Sequence, residues 1–217
     1  MSEENNPEPP GTDQQEPDEQ AQETGRGDRV DTAGGGAGAG MSYPQYLAAL
    51  YKRPDELLDD TTRGLKVFGL INMGALVVLI ALSSFVQRIA MTTTSGVRFS
   101  WLVNGIKFGL SFAIPIAIVL FAFQWYAKRQ EREYSLDFFI EKFGAAMALP
   151  AVLVAIAIPL NLIGVTMHSW FRGAGLFFIY IGVFLMSYLF IAPQRLKVAV
   201  VFTLAFYFAY RLIWLLM

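Results

Sequence analysis

"NGIKFGLSFAIPIAIVLFAFQWYA", residues 104–127, carries one charge, Lys107, close to its start and no other before Lys128. From Phe108 onward about twenty residues rise by ~1.5 Å each as a helix, enough to cross a hydrocarbon layer about 30 Å thick. Four further runs share this build, so the long apolar blocks lie at about 65–86, 100–127, 143–165, 174–193 and 197–217. A water-soluble domain seldom holds one such run. Five predict an all-α polytopic membrane bundle of five transmembrane helices, with short connections that make most neighbours antiparallel. The tight "APQRLK" (192–197) makes a hairpin of the last two.

The rest of the chain is a different polymer. Of 217 residues 54% are hydrophobic, yet residues 1–40 hold ten acidic residues against two arginines, net −8, while 41–217 is net +7. "MSEENNPEPPGTDQQEPDEQAQETGRGD" has no aromatic residue and too little apolar surface to offset its chain entropy. It predicts a disordered cytoplasmic tail without a secretory signal. "AGGGAGAG" (33–40) continues it as a flexible linker; it lacks the Lys-Ser/Thr of a phosphate-binding loop.

Residues 41–64 form a lead-in. In "YPQYLAALYKR" (43–53), Tyr43, Tyr46, Leu47, Leu50 and Tyr51 share one helical face, and Pro54 ends the helix. Such a helix either lies flat among headgroups or packs on the rest of the protein. "DELLDDTTRG" (55–64) then offers capping residues for the first span.

Lys and Arg near the run ends set the orientation. With the N-terminus inside, Lys52, Arg53, Arg63, Lys66, Lys128, Arg129, Arg132, Lys142, Arg195 and Lys197 are cytoplasmic, against Arg88, Arg98, Lys107, Arg172 and Arg211 opposite. The expected location is the plasma (inner) membrane, multi-pass, with the C-terminus outside.

Lys107 and Arg211 lie near the outer boundary, where long stems lift their charges to the headgroups. No acid falls within the five runs, the last being Glu141 near a cytoplasmic end. All outer charges are cationic, and Asn104 and Asn161 fall near their level. Lys107, Arg211, Asn161 and Asn104 are therefore the candidate contacts for an anionic lipid headgroup; the structural alternative is interfacial anchoring.

Other chemistry finds little footing. There is no cysteine, and His168 is the only histidine, so neither a thiolate site nor a multi-histidine zinc site can form. No serine sits in a nucleophile pattern. "QEREYSLDFFIEK" (130–142) mixes four acids with Arg132 and Lys142 and reads as a solvated cytoplasmic loop entering a helix. No catalytic residue, metal or cofactor is expected. Pro115, Pro150 and Pro159 introduce possible kinks, while "GAAMA" (144–148) and "GAGLFFIYIG" (173–182) allow close backbone packing.

The short amphipathic helix, cytoplasmic N-terminus, five spans and "YLAALYKRPDELLDDTTRGLK" together resemble a prokaryotic-type member of the YIP family, the five-span membrane proteins that interact with Ypt/Rab GTPases. The Asp-Leu-Tyr-Gly-Pro signature of eukaryotic members is replaced by "SYPQYLAALYKRP". The resemblance therefore implies a fold and topology but transfers no functional residue. The expected role is a non-enzymatic scaffold that organises lipids or membrane proteins. The rivals are a small-solute transporter or channel component and a membrane-embedded lipid-modifying enzyme. Expected partners are the bilayer, anionic lipid and other membrane proteins, not nucleic acid.

Overall fold

Tyr46 and Leu50 decide where the lead-in helix goes. In the computed structural model they are buried against Leu65, Phe68, Ala145 and Ala148, the Tyr46 ring lying 5.1 Å from that of Phe68. This helix, α1 (Tyr43–Lys52), starts after Ser42, whose N–H donates to Gln45 Oε1 at 2.9 Å, and stops ahead of Pro54 as predicted. Ser42, Gln45, Ala48 and Lys52 stay exposed. Of the two placements open to it, packing on the bundle is the observed one. The structure describes residues 41–54, 58, 63–91, 98–191 and 195–217; the acidic tail and glycine linker, most of the 55–64 capping segment and turn residues 192–194 lie outside the described residues.

Five apolar stretches of 21 to 31 residues follow, each long enough to cross a bilayer, as the all-α polytopic reading requires. They are α2 (Lys66–Ala90), α3 (Phe99–Arg129), a third span made of α4 (Leu136–Ala146) and α5 (Ala148–Leu162), α6 (His168–Phe190) and α7 (Arg195–Leu216). The first span packs on the second and third, the third on the fourth, the fourth on the fifth and the fifth on the second, closing a ring. Its interior is filled by Leu76, Ile80, Phe112, Phe123, Phe139, Phe143, Met147, Val154, Ile179 and Met186. Among described residues α7 buries only Ala199 and Phe206, so it is the most peripheral member. The end holding α1, Lys66 and Leu136 is called the near end below, and that holding Lys107, His168 and Met217 the far end.

Lipid tails are as apolar as leucine, so helices in a bilayer associate through close packing rather than through the hydrophobic effect. Gly69 and Gly144 supply the closest approach. A Cβ on Gly144 would lie 2.2 Å from the Gly69 Cα, and one on Gly69 would lie 2.3 Å from the Ile140 carbonyl oxygen. Both obstacles are backbone, so neither site accepts a side chain without parting the helices.

The third span departs from expectation. It begins at Leu136 rather than near residue 143, with Ser135 Oγ accepting the Phe138 N–H at 3.1 Å as an N-cap. Residues 136–142 are therefore not a solvated loop: Phe138, Phe139, Glu141 and Lys142 are all buried. The polar letters hid a helix whose apolar positions begin seven residues before the continuous run. The span breaks only at Met147. Pro150 lacks an N–H for the Ala146 carbonyl four residues back, and its ring crowds that carbonyl, so the interruption falls where the ladder is broken. Two other boundaries also move outward. The first span continues to Ala90 and the fourth begins at His168, because a helix does not end where its hydrocarbon-matched part does.

Candidate functional site

At the near end, the Gly69–Gly144 crossing turns one face of α4 onto the chain entering α2. Glu141, only 3% exposed, accepts the Leu65 N–H at 2.8 Å and the Arg63 N–H at 3.0 Å. A carboxylate from 76 residues away thus receives the main chain leading into the first span, at the helix end whose dipole favours an anion. Gly64, with φ +73°, supplies the left-handed turn between these two donors. Lys142 is fully buried, its Nζ 3.4 Å from Glu141 Oε1 and 5.7 Å from the centre of the Phe138 ring. Neighbours along a helix do not normally face each other, yet here both are enclosed by surrounding elements.

Asn72 extends the polar contacts. Its Oδ1 accepts the Tyr43 hydroxyl at 2.6 Å, and its Nδ2 donates to the Gly144 carbonyl at 3.0 Å, joining α1, α2 and α4. The buried Tyr46 hydroxyl finds no hydrogen-bond partner among the described residues. Burial first, then the Glu141 and Tyr43 charges, push its pKa well above the usual tyrosine value, with the Asn72 side chain pulling more weakly the other way. At the rim, half-exposed Lys66 and Asp137 form an ion pair at 2.7 Å. These near-end groups hold helices together, and Glu141 in particular is engaged by main-chain donors.

The far end is built differently. Lys107 Nζ donates to the Met217 main-chain oxygen, joining the second span to the last. Arg172 donates to Gln87 Oε1 on the first span, and its guanidinium lies 5.1 Å over the Phe108 ring. Phe108 meets Trp214 edge-on at 5.4 Å, and Phe112 lies 4.4 Å from Tyr210. Arg172 and Arg211 both lie within electrostatic reach of the Tyr210 hydroxyl. Arg211 is exposed and lines an open recess with Phe208, Leu212, Trp214 and Leu215. No Asp or Glu occurs anywhere between Asp60 and Glu131 or after Glu141, so the charged side chains of the far-end segments are all cationic.

Of the four candidate contacts, Lys107 reaches the main chain at the end of the last span, and Arg211 lines a recess on that same span with Trp214. Asn104 is exposed one helical turn from Lys107. Asn161 is buried on the third span, and no hydrogen bond or ring contact joins its side chain to Lys107 or Arg211 among the described residues. Arg172 belongs with the two cations, although the sequence places it in a connection. Its signal was the two-residue gap to the apolar run and its place beside Phe171. His168 caps its own turn, Nδ1 lying 2.9 Å from the Val165 carbonyl. Compared with known proteins, the chain matches no family model, no curated protein and no solved structure.

Proposed function

We propose that this five-span chain is a non-enzymatic scaffold of the plasma (inner) membrane, with the near end cytoplasmic and the far end binding anionic lipid headgroups. It is the kind of role the YIP-like layout implies. Support comes from the far end: Arg172 lies over Phe108, Arg211 lines a recess with Trp214, Lys107 reaches the end of the last span, and the sequence supplies no acidic side chain there. Cations at that depth, backed by aromatic rings, suit phosphate-bearing headgroups at the membrane boundary. The orientation rests on the Lys and Arg excess at the near end, reduced by one because Lys142 is buried among helices rather than presented to lipid.

The test is lipid retention. Full-length protein extracted in mild detergent should carry anionic phospholipid, and Lys107→Ala combined with Arg211→Ala should lower the share that crosslinks through its headgroup to residues 104–108 and 208–216 about fivefold or more, at roughly 1 kcal/mol per cation. Unchanged crosslinking there overturns the reading. A C-terminal tag that is inaccessible from outside intact cells overturns the orientation.

A second reading draws on Glu141 and Lys142, ionisable groups inside a span that is interrupted at Met147. Intramembrane charge of this kind marks many transport paths, and this reading makes the chain a small-solute carrier. Solute flux in reconstituted vesicles, abolished by Glu141→Gln, Asn161→Ala or Lys107→Ala, would replace the scaffold with the carrier.

A further inference from the structure

A groove of about 300 Å³ runs beneath α1, between the third and fourth spans. Ala146 and Gly182, close enough that a Cβ on Gly182 would lie 3.8 Å from that of Ala146, line its floor, Leu50 and Tyr51 of α1 line its roof, and the exposed Leu149 and Leu185 mark its mouth. We propose that this groove holds one acyl chain of an anionic phospholipid of the near leaflet, with the headgroup against Lys52 and Arg53. The inference rests on bilayer embedding and is independent of the far-end headgroup contacts.

Depth, opening and charge identify the occupant. Gly144 is in contact with Gly69, three residues into the first span from Lys66, and Leu149 lies five residues beyond Gly144. At ~1.5 Å per residue the groove mouth sits about 12 Å below the level of Lys66, within one leaflet. Leu149 and Leu185 are 39% and 40% exposed on spans that face hydrocarbon, so the mouth opens sideways into lipid tails rather than into water. The one hydroxyl on the lining, Tyr51, is directed at the Ala148 carbonyl, 3.4 Å away, so the walls present little but carbon. The volume is at the small end for ligand sites, right for a length of chain and too small for a whole lipid. On α1 the exposed cations Lys52 and Arg53 fall between groove-lining Tyr51 and Pro54 but line a separate recess with Gln45 and Arg63, and that cationic recess suits the phosphate of a lipid whose chain leaves the groove around the end of α1.

The experiment uses full-length protein in phosphatidylcholine vesicles containing a trace of phosphatidylglycerol with a photoreactive acyl chain, followed by irradiation, digestion and mass spectrometry. Adducts should concentrate on residues 145–149 and 178–185. Ala146→Trp, which fills the floor, should remove most of them while leaving adducts at outward residues such as Val78 and Ile118. Lys52→Glu, at an exposed position that leaves the packing intact, should reduce them about fivefold or more. Adducts spread evenly over the outward surface would overturn the proposal. So would equal groove labelling by a phosphatidylcholine probe with the same chain, or labelling indifferent to Lys52→Glu. Loss of far-end lipid retention leaves these results unaffected, so the two sites fail separately.

Discussion

The two ends of the bundle treat charge in opposite ways. At the near end Glu141 and Lys142 are withdrawn from solvent, and the carboxylate ties the chain before the first span to the third span. At the far end Lys107 and Arg211 remain at least partly accessible, Arg172 lies on an aromatic ring, and no acidic side chain pairs with them among the described residues. Charges enclosed among helices need their partners for the fold to hold, since an uncompensated buried ion is costly. Cations at a boundary can lift their heads into the headgroup layer, so the fold tolerates their loss and they remain free to bind. The near end is thus a fastening, and the far end is where we propose that headgroups bind.

The most severe way to break the fastening is Gly144→Val. The new side chain meets the Gly69 backbone, which cannot move aside as a side chain would, so destabilisation should exceed the ~1–3 kcal/mol usual for overpacking. Loss of a monodisperse species on size exclusion would register it, and a variant as stable as the parent would show that the helices do not cross there.

Next in size is Glu141→Ala, which removes the carboxylate beside buried Lys142 and the acceptor of two main-chain donors, and should cost about 3–5 kcal/mol in thermal unfolding in detergent. Glu141→Gln, retaining an acceptor, should cost less. A carboxylate serving only as a solvated surface group would leave both variants at the parent's melting temperature.

Alkali sharpens the contrast through Tyr46. Its folded-state pKa is raised by burial, so its contribution is fully present below the unfolded value of about 10 and is lost as pH rises above it, where the unfolded chain ionises first. Tyr46→Phe should therefore flatten the decline in stability above pH ~10. It should change stability at neutral pH by less than about 1 kcal/mol, because the hydroxyl it removes is unpartnered. An unchanged alkaline profile would show that Tyr46 ionises as readily folded as unfolded.

Smaller still is Lys66→Ala at the half-exposed pair with Asp137, expected within about 0–1 kcal/mol by the same thermal measurement. At the bottom of the scale, Lys107→Ala with Arg211→Ala should leave the melting temperature unmoved while stripping anionic lipid from the far end. A marked fall in stability would make the far end a fastening as well.

Much of the fold was legible because a bilayer leaves little choice. A run such as 104–127 can satisfy its main chain in hydrocarbon only as a helix, and this holds for each of the five runs wherever the neighbours lie. The third span was misread at its start because Glu141 and Lys142 are written in the letters of a loop. Ser135 as cap and the apolar Leu136, Phe138, Phe139, Ile140 and Phe143 were the available signal, diluted by the acids and bases between them. The far-end cations were legible as a group from their sign and position. That Arg172 lies on Phe108, and that Asn161 is buried, depends on how each helix is rotated, and rotation leaves no trace in a run of apolar letters.

The amino-acid order by itself therefore determined the number of spans, the lead-in helix and the two-sided distribution of charge, because each follows from local composition and the thickness of hydrocarbon. Only the tertiary structure decided that Glu141 belongs to the first span as much as to the third, that α1 roofs a groove, and that Lys142 is enclosed. Those outcomes turn on two glycines meeting at a crossing 75 residues apart in the chain. A contact of that kind is set by which helix faces come together, and no local pattern of residues encodes it.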